Sequence, residues 1–198
     1  MKKLKYLLIV LSVFLLAGCK DIFTYHEKEE TYLNGKHYAE MKIKNYGIVE
    51  LELDADIAPI TVTNFINLVN EKYYDGLPIH RVQKDFVIQG GNGEEKRNIK
   101  GEFDANGIEN NISHERGVIS MARQGDMTTG YDTASTQFFI MLKDNNTLDH
   151  YYAAFGKVTS GMDQIDKIAK DVKNTDDMGM ILNEQDMPII EYIKEIEK

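Results

Sequence analysis

Residues 41–53 read MKIKNYGIVELEL. Met41 and Ile43 alternate with Lys42 and Lys44; Asn45-Tyr46-Gly47 interrupts; then Val49, Leu51 and Leu53 alternate with Glu50 and Glu52. A period of two puts the apolar side chains on one face of an extended chain and the charged ones on the other. Asn and Gly tolerate the backbone angles that a tight reversal needs. The stretch predicts a β-hairpin with one buried face.

Beyond the hairpin, further short apolar runs predict strands at 79–82, 86–89, 117–122, 137–142, 153–158 and 189–193. Only two stretches carry helical spacing. Pro59 suits a first helical turn, where its missing N–H costs nothing, and Val62, Phe65, Ile66 and Val69 follow at i, i+3, i+4 and i+7. A second helix is expected at 161–170, with Met162, Ile165, Ile168 and Ala169 inward. Two helices so far apart do not make a repeated βαβ pattern. The expected fold is mainly β, a closed antiparallel barrel capped by two α-helices. Residues 91–113, rich in Gly, Asn and charge, are expected as surface loops.

Composition narrows the function. The chain has 198 residues, 42% hydrophobic and 28% charged, which excludes a disordered or collagen-like polymer. Lys plus Arg is 23 against 32 for Asp plus Glu, a formal net charge of −9. Phosphate binding needs a basic face, so nucleic acid is not expected as a partner. A single cysteine excludes an intramolecular disulfide and any multi-cysteine metal site.

That cysteine sits at the end of a segment unlike the rest. A basic start with Lys2, Lys3 and Lys5 precedes an apolar run over 6–16, broken only by Ser12, and then Leu16-Ala17-Gly18-Cys19. The run is well short of the roughly 20 residues that span a bilayer, and its flanks fit a secretory signal. A transmembrane anchor or a buried N-terminal helix is the other reading. The Leu-Ala-Gly-Cys end resembles the bacterial lipobox, which implies a signal peptide over 1–18, cleavage before Cys19 and a diacylglyceryl group on its sulfur. Cleavage takes Lys2, Lys3 and Lys5 away and moves the formal charge from −9 to −12. Residues 19–37 are charged and lack a period, and are expected as a lipid-anchored tether. The domain is expected over 38–198, extracytoplasmic and held to the membrane. The Lys- and Asn-rich composition suggests a Gram-positive source. Nothing points to more than a monomer.

The chemistry begins with exclusions. His26, His37, His80, His114 and His150 show neither HExxH nor HxH spacing, and no Gly-x-Ser-x-Gly elbow is present. Gly90-Gly91-Asn92-Gly93 lacks the Lys-Ser or Lys-Thr of a phosphate loop. No metal and no cofactor is expected. What remains is a charge in a predicted strand: Arg81, within Pro78-Ile79-His80-Arg81-Val82. Such a charge needs solvent or partners. Phe86-Val87-Ile88-Gln89-Gly90-Gly91 and Ser135-Thr136-Gln137-Phe138-Phe139-Ile140 offer amides and aromatic rings. A guanidinium fixed beside them would make a pocket with an apolar floor and one strong donor.

Here the sequence resembles the cyclophilin-type peptidyl-prolyl isomerases. The resemblance rests on four blocks in series: His80-Arg81-Val82 with Phe86 and Gln89-Gly90-Gly91; His114-Glu115-Arg116-Gly117-Val118-Ile119-Ser120-Met121-Ala122; Ser135 to Ile140; and Leu148-Asp149 with Phe155-Gly156-Lys157-Val158. It implies an eight-stranded closed barrel with a helix over each open end. It also implies isomerisation of X–Pro bonds in polypeptides, here proline-containing segments of exported proteins. Arg81 stands at the family's catalytic arginine, Gln89 at the glutamine that orients it, and Phe86, Val87, Phe139 and Leu148 at the walls of the proline pocket. Ala122 and Arg123 stand at the edge along which the peptide runs. Gln137 adds a polar contact, and His80 precedes the arginine as in the family.

Three departures bear on ligand preference. Thr147 stands where the family often has a tryptophan that contributes to cyclosporin binding, so such binding is expected to be weakened. Tyr152 replaces a histidine at the pocket wall and still supplies an aromatic face with a polar tip. Arg123 replaces an asparagine at the peptide edge, which suggests a taste for acidic residues beside the proline. A proline-segment holdase with little turnover is the alternative, although a pure binder would not need Arg81. A host-contacting adhesin has no motif behind it.

Overall fold

A computed structural model describes residues 31–198. The expected signal peptide, Cys19 and most of the expected tether lie outside the described residues.

The hairpin forms as its alternation predicts. β1 (Lys36–Ile43) pairs antiparallel with β2 (Gly47–Asp54), Met41 opposite Val49 and Ala39 opposite Leu51. Asn45 takes a φ of 67° at the reversal, the left-handed region that asparagine tolerates. β1 opens at Lys36, and Gly35 N–H donates to Asp56 Oδ1 at 2.7 Å. The end of the expected tether therefore packs onto the domain.

Six more strands follow: β3 (Ile79–Gln83), β4 (Val87–Gly90), β5 (Val118–Met121), β6 (Phe138–Met141), β7 (Ala154–Ser160) and β8 (Ile190–Ile196). They form one antiparallel sheet in the order β3-β4-β6-β5-β7-β2-β1-β8. Among the described residues the α-helices are α1 (Pro59–Asn70) and α2 (Met162–Asp171).

The sheet is a curled half-barrel, which corrects the expected closed barrel. β3 and β8 are its edges and share no ladder. The reason is competition for hydrogen bonds. Val82 N–H donates to Gly179 O (2.7 Å) and Ile181 N–H to His80 O (2.9 Å), so residues 179–181 occupy the outer edge of β3. The two edge regions meet only beside their starts, where Pro78 bridges Ile189 and Gly76 N–H donates to Ile190 O at 2.8 Å. The edge of β3 is thus covered, and β8 is met only at its start, without a continuous ring of strand pairs.

The concave face holds the main core. Phe65 of α1 lies 5.2 Å from Tyr74, 5.7 Å from Phe138 and 5.3 Å from Phe155, ring centre to ring centre. Ile165 and Ile168 bring α2 to the same core. In β6 the period of two splits neighbours: Phe138 and Ile140 enter this core, while Phe139 and Met141 join a smaller cluster with Val87, Val118, Leu148 and Ala154. Strands buried on both faces make a second apolar surface available away from the main core.

Residues 91–113 hold only a short 3₁₀ turn at Asp104–Asn106 and a bridge from Ile99 to Ala134, yet they are not only surface. Glu102, Phe103 and Asn110 are buried. Helix α1 has no capping side chain of its own, since Ala58 precedes it. The carboxylate of Glu102 replaces the cap from the loop. It accepts the Ile60 N–H at 2.9 Å and the Thr61 N–H at 2.7 Å. Negative charge at a helix start also suits the helix dipole. Burial pushes the Glu102 carboxyl up, against the hydrogen bonds from Thr61 and Ile60.

Candidate active site

The smaller cluster floors a groove of about 290 Å³. Its lining brings together Phe86, Val87, Ala122, Phe139, Leu148 and Tyr152 with the polar Arg81, Gln89 and Arg123. Nine of the eleven residues expected at the site thus line one depression, although they come from chain segments more than sixty residues apart. Gln137 lines the neighbouring cavity and reaches the groove through Gln89. His80 does not line it.

Arg81 is held on three sides. Its Nε donates to Met178 O at 2.8 Å, its Nη1 to Gln89 Oε1 at 3.0 Å, and its Nη2 to Gln83 Oε1. Gln89 is oriented in turn, since its Nε2 donates to Gln137 Oε1 at 2.9 Å and Gln137 Nε2 donates to Asn92 Oδ1 at 3.2 Å. The register sets this up: Arg81 faces Gln89 across β3 and β4, and Gln89 faces Phe139 across β4 and β6. Among the described residues, three of the five guanidinium N–H groups are taken, which leaves one on each Nη for a ligand. The Phe86 ring lies 5.7 Å from the guanidinium carbon. Burial pulls the Arg81 guanidinium below its usual value, while Tyr152 and Asp176 pull it back, and arginine remains a cation throughout.

The Met178 carbonyl was not legible in the sequence, because it lies 97 residues from Arg81 in a polar stretch without a motif. It is delivered by a turn. Gly179 has a φ of +82°, and a Cβ there would come within 2.8 Å of the Gln83 backbone. Gly179→Ala is therefore expected to lift this turn off β3 and loosen Arg81. A displacement of about 1 Å at a reacting group can cost 100-fold. We expect roughly a tenfold loss of kcat with little change in KM for a proline peptide. An unchanged kcat would mean that the Met178 carbonyl does not orient the guanidinium.

Phe139 is braced from behind. The fully buried His114 ring stacks on it at 6.0 Å. His114 Nδ1–H donates to Asp149 Oδ1 (2.9 Å), and Nε2 accepts the Ser120 hydroxyl (3.0 Å). Burial lowers the His114 pKa more than Asp149 raises it, so the ring is neutral and the contact is a hydrogen bond. Burial works to raise Asp149. The His114 backbone N–H, the Ser113 hydroxyl and the His114 ring outweigh it and hold the carboxylate low. Ser120, His114 and Asp149 imitate a hydrolytic triad in type alone, because Ser120 is fully buried.

His80, expected among the substrate-binding residues, lies away from the groove. It is buried, its Nδ1 has no hydrogen-bond partner among the described residues, and burial followed by the Arg81 charge lowers its pKa. Strand alternation turns it away as it turns Arg81 toward the groove. This gives a pH prediction. His80 and His114 are neutral when folded, and in the unfolded chain they regain an ordinary value near 6.5. Below that value the unfolded state binds more protons, so stability is lost as the pH falls. The urea midpoint is expected to drop between about pH 7.5 and 5.5, above the range where exposed carboxylates titrate, with Glu102, pushed up by burial, acting in the opposite direction. A flat midpoint would contradict two neutral buried rings.

Arg123 is more engaged than a peptide-edge charge. Its Nε donates to Tyr151 O at 2.8 Å and its Nη1 to Thr129 O at 2.7 Å. The rings of Tyr152, Phe103 and Tyr131 lie 4.8, 5.4 and 5.4 Å from its guanidinium carbon. Tyr152 meets Phe139 edge to face at 5.7 Å. The cation thus pins the groove's Tyr152 wall, which leaves less of its charge for an acidic neighbour of the proline.

Comparison with known proteins agrees with this geometry. Residues 38–192 match the family described as cyclophilin type peptidyl-prolyl cis-trans isomerase/CLD. The chain is 41% identical over 160 residues to a peptidyl-prolyl cis-trans isomerase of Acinetobacter baylyi, covering 76% of this chain and 81% of that one. It is 39% identical over 151 residues to peptidyl-prolyl cis-trans isomerase A of Dickeya dadantii, covering 73% and 76%. In fold it is similar to a crystal structure of a Cryptosporidium parvum cyclophilin type peptidyl-prolyl cis-trans isomerase, with a TM-score of 0.70 at 24% identity over 83% of this chain and 99% of that one. A second structure of that protein, in the presence of the dipeptide Ala-Pro, matches with a TM-score of 0.68 at 24% identity over 81% of this chain and 99% of that one. By sequence over most of its length, and with an arginine fixed beside an apolar slot, the chain belongs to the cyclophilin-type peptidyl-prolyl cis-trans isomerase family.

Proposed function

We propose that the groove catalyses cis-trans isomerisation of X–Pro bonds, with Arg81, Gln89 and Phe86 at its chemical centre. The observation that carries this reading is the Arg81 guanidinium, tied on three sides and open on the fourth toward an apolar slot. An X–Pro bond turns over in tens to hundreds of seconds because its partial double bond sets a barrier of roughly 20 kcal/mol. Nothing is made or broken, so no nucleophile or metal is required. In the twisted transition state the proline nitrogen regains its lone pair. A donor aimed at that nitrogen, or at the carbonyl after the proline, favours the twisted form over either planar one. Phe86, Val87, Phe139, Leu148 and Tyr152 grip the ring while the preceding carbonyl swings. A preorganised donor needs no rearrangement as charge develops.

The proposed setting is the outer face of the cell membrane, with the domain tethered through a lipid on Cys19 and acting on exported chains as they fold. The sequence of the N-terminus supports it, together with the slowness of proline steps in folding. Cys19→Ala would then release the protein from the membrane fraction; unaltered retention would refute the tether. Cyclosporin-type ligands should bind weakly, since Thr147 presents a short side chain whose hydroxyl is tied to Asn145 Oδ1 at 2.6 Å. A proline-peptide isomerisation assay on the full-length chain tests the activity. Peptide binding without turnover would favour the holdase reading.

A further inference from the structure

Among the described residues, Met178, Met180 and Leu182 are large apolar side chains left 62%, 38% and 61% exposed within five residues of chain. They lie on a small hairpin over 174–182. Leu182 N–H donates to Asn174 O, Asp176 N–H to Met180 O and Gly179 N–H to Asp176 O, each at 3.0 Å. Ile181 is buried and gives its N–H to His80 O, so the alternation turns Met180 and Leu182 outward. Met178 begins the row. Its carbonyl holds Arg81, and the residue lines the groove. The apolar row is therefore continuous with the proline slot.

The opposite flank differs. There the groove adjoins a cavity of about 400 Å³ lined by Glu94, Glu95 and Lys96, sharing Gln89, Ala122 and Arg123 with the slot. The rim at that cavity carries charged side chains, whereas the rim at Met178 runs on into the apolar row, with Asp176 and Asp177 beside it. A contiguous exposed apolar row beside a binding groove marks an interaction surface. Methionine is unbranched and polarizable, and so adapts to many shapes without selecting one.

We infer that Met178, Met180 and Leu182 form a docking row for apolar side chains that flank the substrate proline on the Met178 side. The occupant is an unfolded polypeptide segment with leucine- or phenylalanine-like residues there. Asp176 and Asp177 beside the row disfavour acidic ones. The inference rests on the isomerase reading of the groove, and the row would extend that site from a single proline to its sequence neighbourhood.

The test uses the full-length chain and proline peptides carrying leucines before the proline, after it, or serines at both positions, with a short Ala-Pro peptide as control. One leucine-flanked peptide is expected to show a KM roughly three- to tenfold below its serine analogue, with kcat unchanged, since half-burying one or two apolar side chains is worth about that much. Met180→Ser with Leu182→Ser should abolish this gain while turnover of the short peptide stays within about twofold. Met180→Leu with Leu182→Met should retain it, because the apolar area persists. Equal KM values for all flanks in the wild-type chain, or a gain surviving in the serine variant, would overturn the inference. If the wild-type chain fails to turn over even the short peptide, the isomerase reading falls instead. The row is then judged by direct binding of the same peptides, where the same ratio supports it and its absence refutes it.

Discussion

Arg81→Ala is expected to lower kcat/KM for a proline peptide by roughly 100- to 1000-fold, the range seen when one preorganised donor to a transition state is removed. By the same scale, a 1000-fold loss is about 4 kcal/mol of transition-state stabilisation. The fold should survive. The partners of Arg81 are Met178 O, Gln83 and Gln89, and Arg81 itself is only partly buried, so its loss opens no core cavity. The check is a matched pair of measurements, turnover on the peptide and thermal midpoint by circular dichroism. Arg81→Lys should recover little, because a single ammonium cannot meet three acceptors in a plane and still face the slot. Wild-type turnover in Arg81→Ala would remove the proposed mechanism. A collapse of the midpoint would mean that the arginine is structural first.

Glu102→Ala is expected to lower stability by about 3 kcal/mol, roughly 6–12 °C in midpoint for a domain of this size. The carboxylate accepts both the Ile60 and the Thr61 N–H, and no side chain at Ala58 can take its place. Without it, two helix-start donors lie at or near a buried position with no acceptor. Glu102→Gln keeps one acceptor oxygen and should cost about half as much. Thermal unfolding of the three proteins at neutral pH decides this. A loss below about 0.5 kcal/mol in Glu102→Ala would show that water or a neighbour satisfies those groups.

The two variants separate what a linear chain displays from what it conceals. The hairpin over 41–53 is legible because its pattern is local: alternating apolar residues, a turn of Asn and Gly, then alternation again. The Pro59 helix is legible for the same reason. Arg81, Gln89, Phe139 and Leu148 stand out through motif blocks; the register of β3, β4 and β6 brings the first three together, and Leu148 joins them from the 3₁₀ turn Asn146–Leu148. Glu102 was hidden within a Gly- and Asn-rich stretch expected to be surface, since its partners lie 41 and 42 residues earlier and no pattern in the chain links them. The Met178 carbonyl was hidden more deeply still, because backbone atoms carry no residue signature.

His80 and the barrel show the same limit in reverse. His80 adjoins the arginine in sequence, but successive side chains of a strand face opposite ways. Counting strands suggested a ring; yet closing one depends on which neighbour reaches an edge first, and residues 179–181 take the edge of β3. Periodicity and motif, set by neighbours a few positions apart, determined the strands, the helices and the identity of most side chains that line the groove. Tertiary structure alone decided which backbone carbonyl anchors the guanidinium, which distant carboxylate caps α1, and which apolar row borders the slot. Those contacts depend on chain segments meeting in space, and a sequence read along its length holds no record of distance across the fold.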